Sequence, residues 1–270
     1  AAAIGSELTD KPGGIFVRSA DQISNEDRIL FQTVARIVLS DSYGTLAEQL
    51  SRRPRWKTVI PNLAPSAAYL PDTPAPLPQY DLLFNNGLGG FSEDGKEYII
   101  TTVRDQPTPA PWCNVMANPR FGTIISESGQ SYTWTENAHE LRLSPWNNDP
   151  VSDSGGEAYF LRDEETVHFW SPSPLPHPGS SPYLIRHGFG YSVFMHNEAQ
   201  IGSELWVYVD AEAPVKFIVI KIKNQSAKAR RIACTGYVEW VLGDLRPKSA
   251  PHVITELDPV TGALLARYSY

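Results

Sequence analysis

The segment YTWTENAHELRLSPWNNDP, residues 132–150, gathers side chains of the kind that recognise sugars. Tryptophan faces stack on sugar C–H groups, and short polar side chains beside them hydrogen-bond to hydroxyls. Tyr132, Trp134 and Glu136 share one strand face through their period-two spacing. The candidate substrate-binding residues of this segment are Trp134, Glu136, Asn137, Trp146, Asn147, Asn148 and Asp149.

The same segment admits two other interpretations. Glu136 and Glu140 could be the carboxylate pair of a glycosidase, although the sequence does not fix their separation. The tryptophans could equally be core residues, because β-sandwiches often bury tryptophan. Leu141 and Leu143 fall on the opposite parity, so the chain must bulge or turn near residues 136–139 if they are buried. The composition of PWNNDP predicts a second turn.

A second motif, RHGFGYS, places an arginine, a histidine and a tyrosine around two glycines. Arg186 could hold an anion or a sugar hydroxyl, His187 could act as an acid or base, and Tyr191 adds an amphipathic ring. The alternative is a structural β-bulge with a buried ion pair. All three residues are candidates for substrate binding.

The motif YVEWVLGDLR contributes the last candidate, Glu239. A carboxylate among aromatic residues can be a sugar ligand or an acid of raised pKa, or it can satisfy a structural partner. The sequence contains no nucleophile elbow, no HExxH or CxxC zinc pattern and no calcium loop. It therefore predicts no metal and no cofactor in this chain.

Composition excludes several classes of protein. The 270 residues, enough for one large domain or two small ones, carry a net charge of −7, which argues against binding to nucleic acid. No apolar run approaches the roughly 18 residues that a membrane span needs, and the N-terminus lacks the features of a signal peptide. The two cysteines are too few for a disulfide framework and are predicted to be buried.

The first 53 residues are predicted to form a helical segment. Ser24 is a good N-cap for a helix through EDRILFQTVARIVL, and Thr45 with Glu48 makes a capping box for a second, shorter helix. Residues 54–79 contain seven prolines, which disfavour both helix and central strand. This part is predicted to be an extended linker.

Residues 80–270 are predicted to form a β-sandwich domain. Nine short segments rich in aromatic and β-branched residues lie between turn residues. In VKFIVIKIKN, Ile218, Ile220 and Ile222 share one face, as in an antiparallel sheet with one buried face. The NQSAKA segment that follows is predicted to be a hairpin turn. The predicted fold is mainly β: a large antiparallel sandwich of two sheets, preceded by one or two short helices and the proline-rich linker.

Several long motifs also carry a family resemblance. The chain resembles the N-terminal supersandwich domain of glycoside hydrolase family 94, formerly glycosyltransferase family 36, in FNNGLGGFSEDGKEYII, TPAPWCNVMANPRFGTIISESGQSYTWTENAHELRLSPWNNDPVSD, RHGFGYS and GYVEWVLGDLR. Within this family it is most similar to the phosphorylase-like region of cyclic β-1,2-glucan synthases. The resemblance runs from about Gly13 to the C-terminus and is weakest in the linker.

The resemblance implies a supersandwich that precedes an (α/α)6 barrel, and in the family this barrel carries the general-acid Asp and most of the phosphate site. The chain has no room for such a barrel, so the resemblance implies a fragment of a larger enzyme, without a catalytic residue of its own and inactive alone. Inorganic phosphate would serve the parent enzyme. In the family's cellobiose phosphorylases a Gln-Arg pair completes a sugar site, but the corresponding SAPHVITELD has no such pair.

The first functional hypothesis is a carbohydrate-binding or structural sandwich domain that supports phosphorolysis or glucosyl transfer on β-glucans. Its expected partners are a β-linked gluco-oligosaccharide, the barrel of its own bacterial parent and a second copy in a homodimer, without nucleic acid or a membrane span. We expect a cytoplasmic location and, if the parent is a glucan synthase, the cytoplasmic side of the inner membrane, reached through other parts of that parent. The alternatives are a free-standing sugar-binding module and an aldose 1-epimerase-like enzyme. In the epimerase-like enzyme, the acid would be His187 or His139 and the base would be Glu239 or Glu256.

Overall fold

A computed structural model describes residues 9–11, 13–51, 76–103 and 106–269 of the chain. The chain divides into two compact units, Ala1–Leu63 and Ala64–Tyr270. The division falls inside the proline-rich segment predicted to be a linker. Residues 54–75 of that segment lie outside the described residues, so the extended linker stays a prediction.

The first unit contains the two predicted helices, α1 (Asn25–Val34) and α2 (Leu46–Ser51). Ser24 caps α1 by accepting a hydrogen bond from the Asp27 amide. Thr45 and Glu48 form the predicted capping box, in which each backbone N–H donates to the side-chain oxygen of the other residue. The predicted helix starts are confirmed, although α1 ends at Val34 and is shorter than its apolar pattern suggested.

The second unit is built mainly from strands, as predicted, with one short α-helix, α3 (Arg246–Ser249), followed directly by a 3-10 helical turn, Ala250–His252. Its strands are β1 (Gly89–Phe91), β2 (Glu97–Thr102), β3 (Cys113–Ala117), β4 (Phe121–Ser126), β5 (Ser131–Thr135), β6 (Glu157–Asp163), β7 (Phe169–Trp170), β8 (Tyr183–Gly188), β9 (Tyr191–Glu198), β10 (Ile201–Val209), β11 (Lys216–Asn224), β12 (Ile232–Val238), β13 (Val253–Leu257) and β14 (Leu264–Tyr268).

These strands form antiparallel sheets. A six-stranded sheet has the order β1-β2-β8-β9-β10-β11, two three-stranded sheets have the orders β3-β4-β5 and β12-β6-β7, and β13 pairs with β14. The main core lies between the six-stranded sheet and β3-β4-β5. One row across the large sheet, made by Ile100, Ile185, Phe194 and Leu205, packs against Met116 and Ile125 of the smaller sheet.

The alternation in the sequence predicted nine strands at the right places. It missed β1, β3, β8, β13 and β14. The hairpin predicted at NQSAKA is wrong, because β11 stays at the edge of the six-stranded sheet while β12 pairs with β6 in another sheet. Burial of the two cysteines is also wrong, since Cys113 and Cys234 are both exposed. None of the described helices is long and apolar enough to cross a membrane.

A buried ion pair joins three sheets. Lys216, at the start of β11, places its Nζ 2.6 Å from Oε2 of Glu157 on β6. The Lys216 ammonium also donates to hydroxyls of β4 and β5, at Thr123, Ser131 and Thr133. Burial alone would raise the pKa of Glu157, but the Lys216 charge and the surrounding donors hold that pKa below its usual value.

Candidate functional site

Three aromatic rings of the opening segment form a cluster that we call the aromatic patch: Tyr132, Trp134 and Trp146. The Tyr132 ring centroid lies 5.2 Å from that of Trp134 and 4.9 Å from that of Trp146, with both pairs tilted by 36°. Tyr132 is buried and both tryptophans are half-buried. The patch therefore combines a fixed central ring with two partly accessible apolar surfaces.

Local sequence explains how the patch is positioned. Trp134 on β5 lies opposite Gly122 on β4, where an added Cβ would stand only 2.3 Å from the indole ring. Only a glycine allows the indole to lie this close to the neighbouring backbone. Arg142, which bridges to Trp134, places its guanidinium 6.0 Å from the Tyr132 ring centroid. Since Arg142 was not among the sequence candidates, the structure adds it.

Trp146 opens a loop that its bridge to Gly155 closes. Within this loop, Asn147 donates to the carbonyl and hydroxyl oxygens of Ser154, and Asn148 adopts a φ of 50°. Asp149 accepts from the Val151 amide at 2.9 Å. A further bond from the Ser152 hydroxyl, together with these amide bonds, lowers the Asp149 pKa below its ordinary value. The predicted turn is confirmed, and the structure brings these residues next to the patch.

Glu136 and Asn137 belong to the turn after β5 and not to the aromatic patch. Glu136 lies beyond β5 with a φ of 54°, and its carboxylate pairs with Arg120 at 2.9 Å, so it does not extend the strand face as predicted. Asn137 caps the turn, because its Oδ1 accepts from the amides of His139 and Glu140. The bulge or turn predicted near residues 136–139 is confirmed.

Glu239 lies just after β12 and forms an ion pair with Arg246 at 2.6 Å. Its amide donates to Gly156, a residue packed against Pro145, which immediately precedes Trp146. These contacts place Glu239 near the aromatic patch, but its carboxylate already has a cationic partner, Arg246.

Arg186 and Tyr191 lie elsewhere, on the six-stranded sheet. Both contact Glu97: the Tyr191 hydroxyl donates to it at 2.6 Å and the Arg186 guanidinium at 3.3 Å. Trp206 on β10 stacks with Tyr191 at 5.8 Å and carries the Arg186 and Lys221 cations at 5.7 and 4.7 Å from its ring centroid. We call this group of five residues the Trp206 surface. Trp206 and Glu97 are additions that sequence reasoning had not singled out.

The RHGFGYS motif is a tight hairpin, not a bulge. Gly188 of β8 pairs directly with Tyr191 of β9, and Gly190 takes a φ of 85° in the turn. The ion pair in the bulge alternative does exist, between Arg186 and Glu97, whose side chains are 20% and 13% exposed. The motif therefore contains the predicted ion pair, but its backbone forms a β-hairpin instead of a β-bulge.

His187 points to the opposite face of the sheet from Arg186 and is enclosed. Its Nε2 lies 3.1 Å from the Trp112 carbonyl oxygen, which can only accept, so Nε2 carries the proton and Nδ1 accepts from the Ser192 hydroxyl at 2.9 Å. Burial lowers the pKa of His187 to about 4, although the bond to Trp112 opposes the shift. A neutral imidazole with both nitrogens engaged positions the sheets and is closed to a ligand.

The four residues that an epimerase-like mechanism would need each have a separate partner. His187 bonds to Trp112, and Glu239 bonds to Arg246. His139 lies 2.7 Å from Glu140, and Glu256 lies 3.6 Å from Arg267. The structure assembles no acid and base pair from these residues. Within the described part of the chain, no group of three or more His, Cys, Asp or Glu side chains could hold a metal ion.

Comparison with known proteins agrees with this architecture. Residues 96–270 match the family described as glycosyl hydrolase 94, supersandwich domain. The chain belongs to this family.

Among the supersandwich family's relatives, the cyclic β-(1,2)-glucan synthase NdvB of Rhizobium meliloti (strain 1021) is 38% identical over 191 residues, 70% of this chain. The N,N'-diacetylchitobiose phosphorylase of Vibrio furnissii is 29% identical over 61% of the chain, and the solabiose phosphorylase of Paenibacillus borealis is 30% identical over 58%. The aligned part spans 7% of the synthase and 20% of each phosphorylase.

Proposed function

We propose that this chain is the carbohydrate-contacting, non-catalytic sandwich part of a family 94 enzyme that acts on β-linked glucosides. The observation that carries the proposal is the aromatic patch, in which Trp134 and Trp146 flank Tyr132 beside a loop of amide and carboxylate groups. Such a combination suits sugars, whose C–H faces stack on rings while their hydroxyls bond to polar side chains.

Family membership supports a β-glucoside as the sugar. A relative at 38% identity is named for cyclic β-(1,2)-glucan synthesis, and others are named phosphorylases. We therefore propose a β-linked gluco-oligosaccharide as the ligand and a β-glucan-processing bacterial enzyme as the parent. Phosphorolysis or glucosyl transfer would be carried out by an (α/α)6 barrel of that parent, with inorganic phosphate as its reactant, at the cytoplasmic side of the inner membrane.

The arrangement of candidate residues supports a positioning role for the sandwich over a catalytic one. The candidate acid and base side chains, His187 and Glu239, are bound to Trp112 and Arg246. The patch itself offers stacking surfaces and hydrogen-bonding groups. The sandwich would hold the oligosaccharide and support packing against the barrel or against a second copy in a homodimer.

The test is a titration of the chain with linear β-1,2-gluco-oligosaccharides, followed by tryptophan fluorescence. We expect a saturable change that Trp146→Ala removes and that Trp206→Phe, a change on the Trp206 surface, leaves in place. No change at millimolar ligand would overturn the proposed sugar contact. Mutarotase activity that disappears in His187→Ala would instead favour an autonomous epimerase.

A further inference from the structure

A cavity of about 650 Å³ lies in the second unit, away from the ring cluster of the aromatic patch. Four loops line it, contributed by residues 102–111, 127–128, 150–153 and 174–183, with residues 104 and 105 outside the described part. Six of the lining residues are prolines: Pro107, Pro109, Pro111, Pro150, Pro174 and Pro178. Their rings give the cavity rigid apolar walls, and the volume is that of small-molecule sites.

Asp153 supplies a fixed acceptor in this cavity. Its Oδ2 accepts hydrogen bonds from two serine hydroxyls, Ser126 at 2.6 Å and Ser128. The backbone at Asp153 has a φ of 44°, in the left-handed region that Asp adopts more readily than most residues other than glycine. The carboxylate is therefore held by two hydroxyl donors on Oδ2, while Oδ1 receives no hydrogen bond from any described residue.

Glu127 supplies a second acceptor. It is 6% exposed, and its carboxylate accepts from the Thr108 hydroxyl and, at 2.6 Å, from the Trp112 amide. Burial raises the pKa of Glu127, these hydrogen bonds oppose the rise, and the nearby Asp153 charge adds to it. Each carboxylate oxygen of Glu127 accepts one of these hydrogen bonds and has a second lone pair, so Glu127 retains acceptor capacity.

Thr102 gives independent evidence for a ligand. It lines the same cavity, is only 8% exposed, and pairs on the sheet with Tyr183, another lining residue. Its Oγ1 is buried without a hydrogen-bond partner among the described residues. A buried hydroxyl left unpaired costs free energy, so an occupant that bonds to it would be favoured.

We propose that this cavity is a second carbohydrate subsite, which takes an uncharged glucoside unit. The walls alternate apolar proline rings with acceptor oxygens, and no Lys, Arg or His is among the described lining residues. The Asp153 and Glu127 carboxylates can only accept, so their partners must be donors on the ligand. Sugar hydroxyls can donate to these carboxylates and can also accept from the Thr102 hydroxyl. The inference rests on the proposed carbohydrate role of the chain and adds a site that its aromatic residues do not reveal.

The two subsites share a loop. Trp146 belongs to the aromatic patch, whereas Pro150 to Asp153 of the same loop line the cavity. A single loop could therefore contact a glucan chain at two places. This arrangement predicts that longer oligosaccharides gain from the second subsite, while sophorose, the β-1,2-linked disaccharide, occupies each subsite separately.

The test uses the whole chain and two-dimensional amide NMR, with sophorose as the probe. We expect saturable shifts at Thr102, Ser128 and Asp153. Thr102→Val removes the unpaired hydroxyl without losing an internal bond, so it should fold at least as stably as the wild type and weaken this binding about five- to tenfold. Thr101→Val, on the exposed face of the same strand, is the matched control and should leave it unchanged.

Trp146→Ala separates the two proposals. Shifts at the cavity that survive in this variant, with those near the patch lost, support two subsites. Shifts confined to the patch, with a silent cavity, overturn the cavity subsite and leave the proposed function standing. Shifts at Thr102 and Asp153 with N-acetylarginine amide but not with sophorose would also overturn it, since the cavity would then be a site for cations.

Discussion

The Trp206 surface and the aromatic patch contain the same kinds of side chain but differ in what their rings contact. At the Trp206 surface, two cations, Arg186 and Lys221, lie over the indole, and Tyr191 stacks on it. At the patch, the rings contact one another, and Arg142 lies over Tyr132 instead of either tryptophan.

The difference follows from where the side chains stand. Trp206 lies on β10, between β9 and β11 of the six-stranded sheet, where cross-strand neighbours are fixed at about 5 Å and long cationic side chains reach the ring. Trp146 opens a loop, whose polar groups bond mainly to one another. The ring of Trp206 is thus covered by side chains of neighbouring strands, whereas Trp146, at the start of a loop whose polar groups bond to one another, keeps part of its face for a ligand.

The largest effect is expected for His187→Ala, which tests whether the enclosed His187 side chain stabilises the fold. We expect a loss of about 3–4 kcal/mol in the free energy of unfolding, because the change opens a cavity and leaves the Trp112 carbonyl without its donor. Urea denaturation measures it. His139→Ala removes an exposed histidine and should stay within about 0.5 kcal/mol. Equal effects of the two variants would contradict the structural role of His187.

The pH dependence of stability tests the same residue without mutation. Since the pKa of His187 is about 4 when folded and about 6.5 in the unfolded chain, the unfolded state binds the extra proton between these values. His187 should therefore not reduce the free energy of unfolding above pH 6.5. As the pH drops from 6.5 to 4, this free energy should fall by up to about 3 kcal/mol. His187→Gln should flatten this part of the profile.

At lower pH a second group contributes. Burial by itself would raise the pKa of Glu198, but hydrogen bonds from His168, His196 and Ser180 outweigh it and hold the pKa far below its usual value. Its contribution to stability is therefore present above pH 4.5 and is lost as the pH falls further.

A profile that is flat from pH 6.5 to 4 in the wild type would contradict the assignment of His187.

A smaller effect is expected for Arg186→Met on the Trp206 surface. It should cost about 1–2 kcal/mol, because Glu97 loses its cation while the partial exposure of both side chains lets water screen the loss. Adding Glu97→Gln should recover part of that loss in a double-mutant cycle measured by denaturation. Strictly additive effects would show that the two side chains do not interact.

The smallest stability effect belongs to the patch. Trp146→Ala should cost only about 1 kcal/mol, roughly the worth of one aromatic pair for a half-buried ring. Its fluorescence response to glucan should nevertheless disappear. Trp206→Ala is expected to do the reverse, lowering stability more and leaving the response intact. If Trp146→Ala destabilises more than Trp206→Ala, the contrast between the two regions is wrong.

Local pattern was enough to predict much of the fold. Alternation located β10 and β11, whose inner faces carry Leu205 and Ile220, because burial of one face imposes a period of two. It missed β8, where YLIRHG is apolar on both parities at its start and runs into a glycine turn. It misjudged NQSAKA because pairing of β12 with β6 depends on residues about 70 positions away.

The site was less predictable for the same reason. Composition indicated Trp134 and Trp146 as candidate substrate-binding residues, and the turn chemistry of PWNNDP indicated a structured loop. The Glu97 partner of Arg186 lies 89 residues away, and the sequence offers no local sign of it. Glu136 was misplaced because one residue of positive φ ends the strand and removes its side chain from the face. Long-range register, which local patterns do not encode, decides such contacts.

The Lys216–Glu157 ion pair has a consequence for how the sandwich comes apart. Strands β11, β6, β4 and β5 all place a partner at this one junction. Separating the sheet of β11 from that of β6 would leave a carboxylate and an ammonium without their counter-charges inside the protein, and detaching β4 and β5 would remove the hydroxyls that bond to this pair. Partial opening at this end is therefore nearly as unfavourable as opening everything, which makes the junction a source of cooperativity: the sheets should lose their structure together.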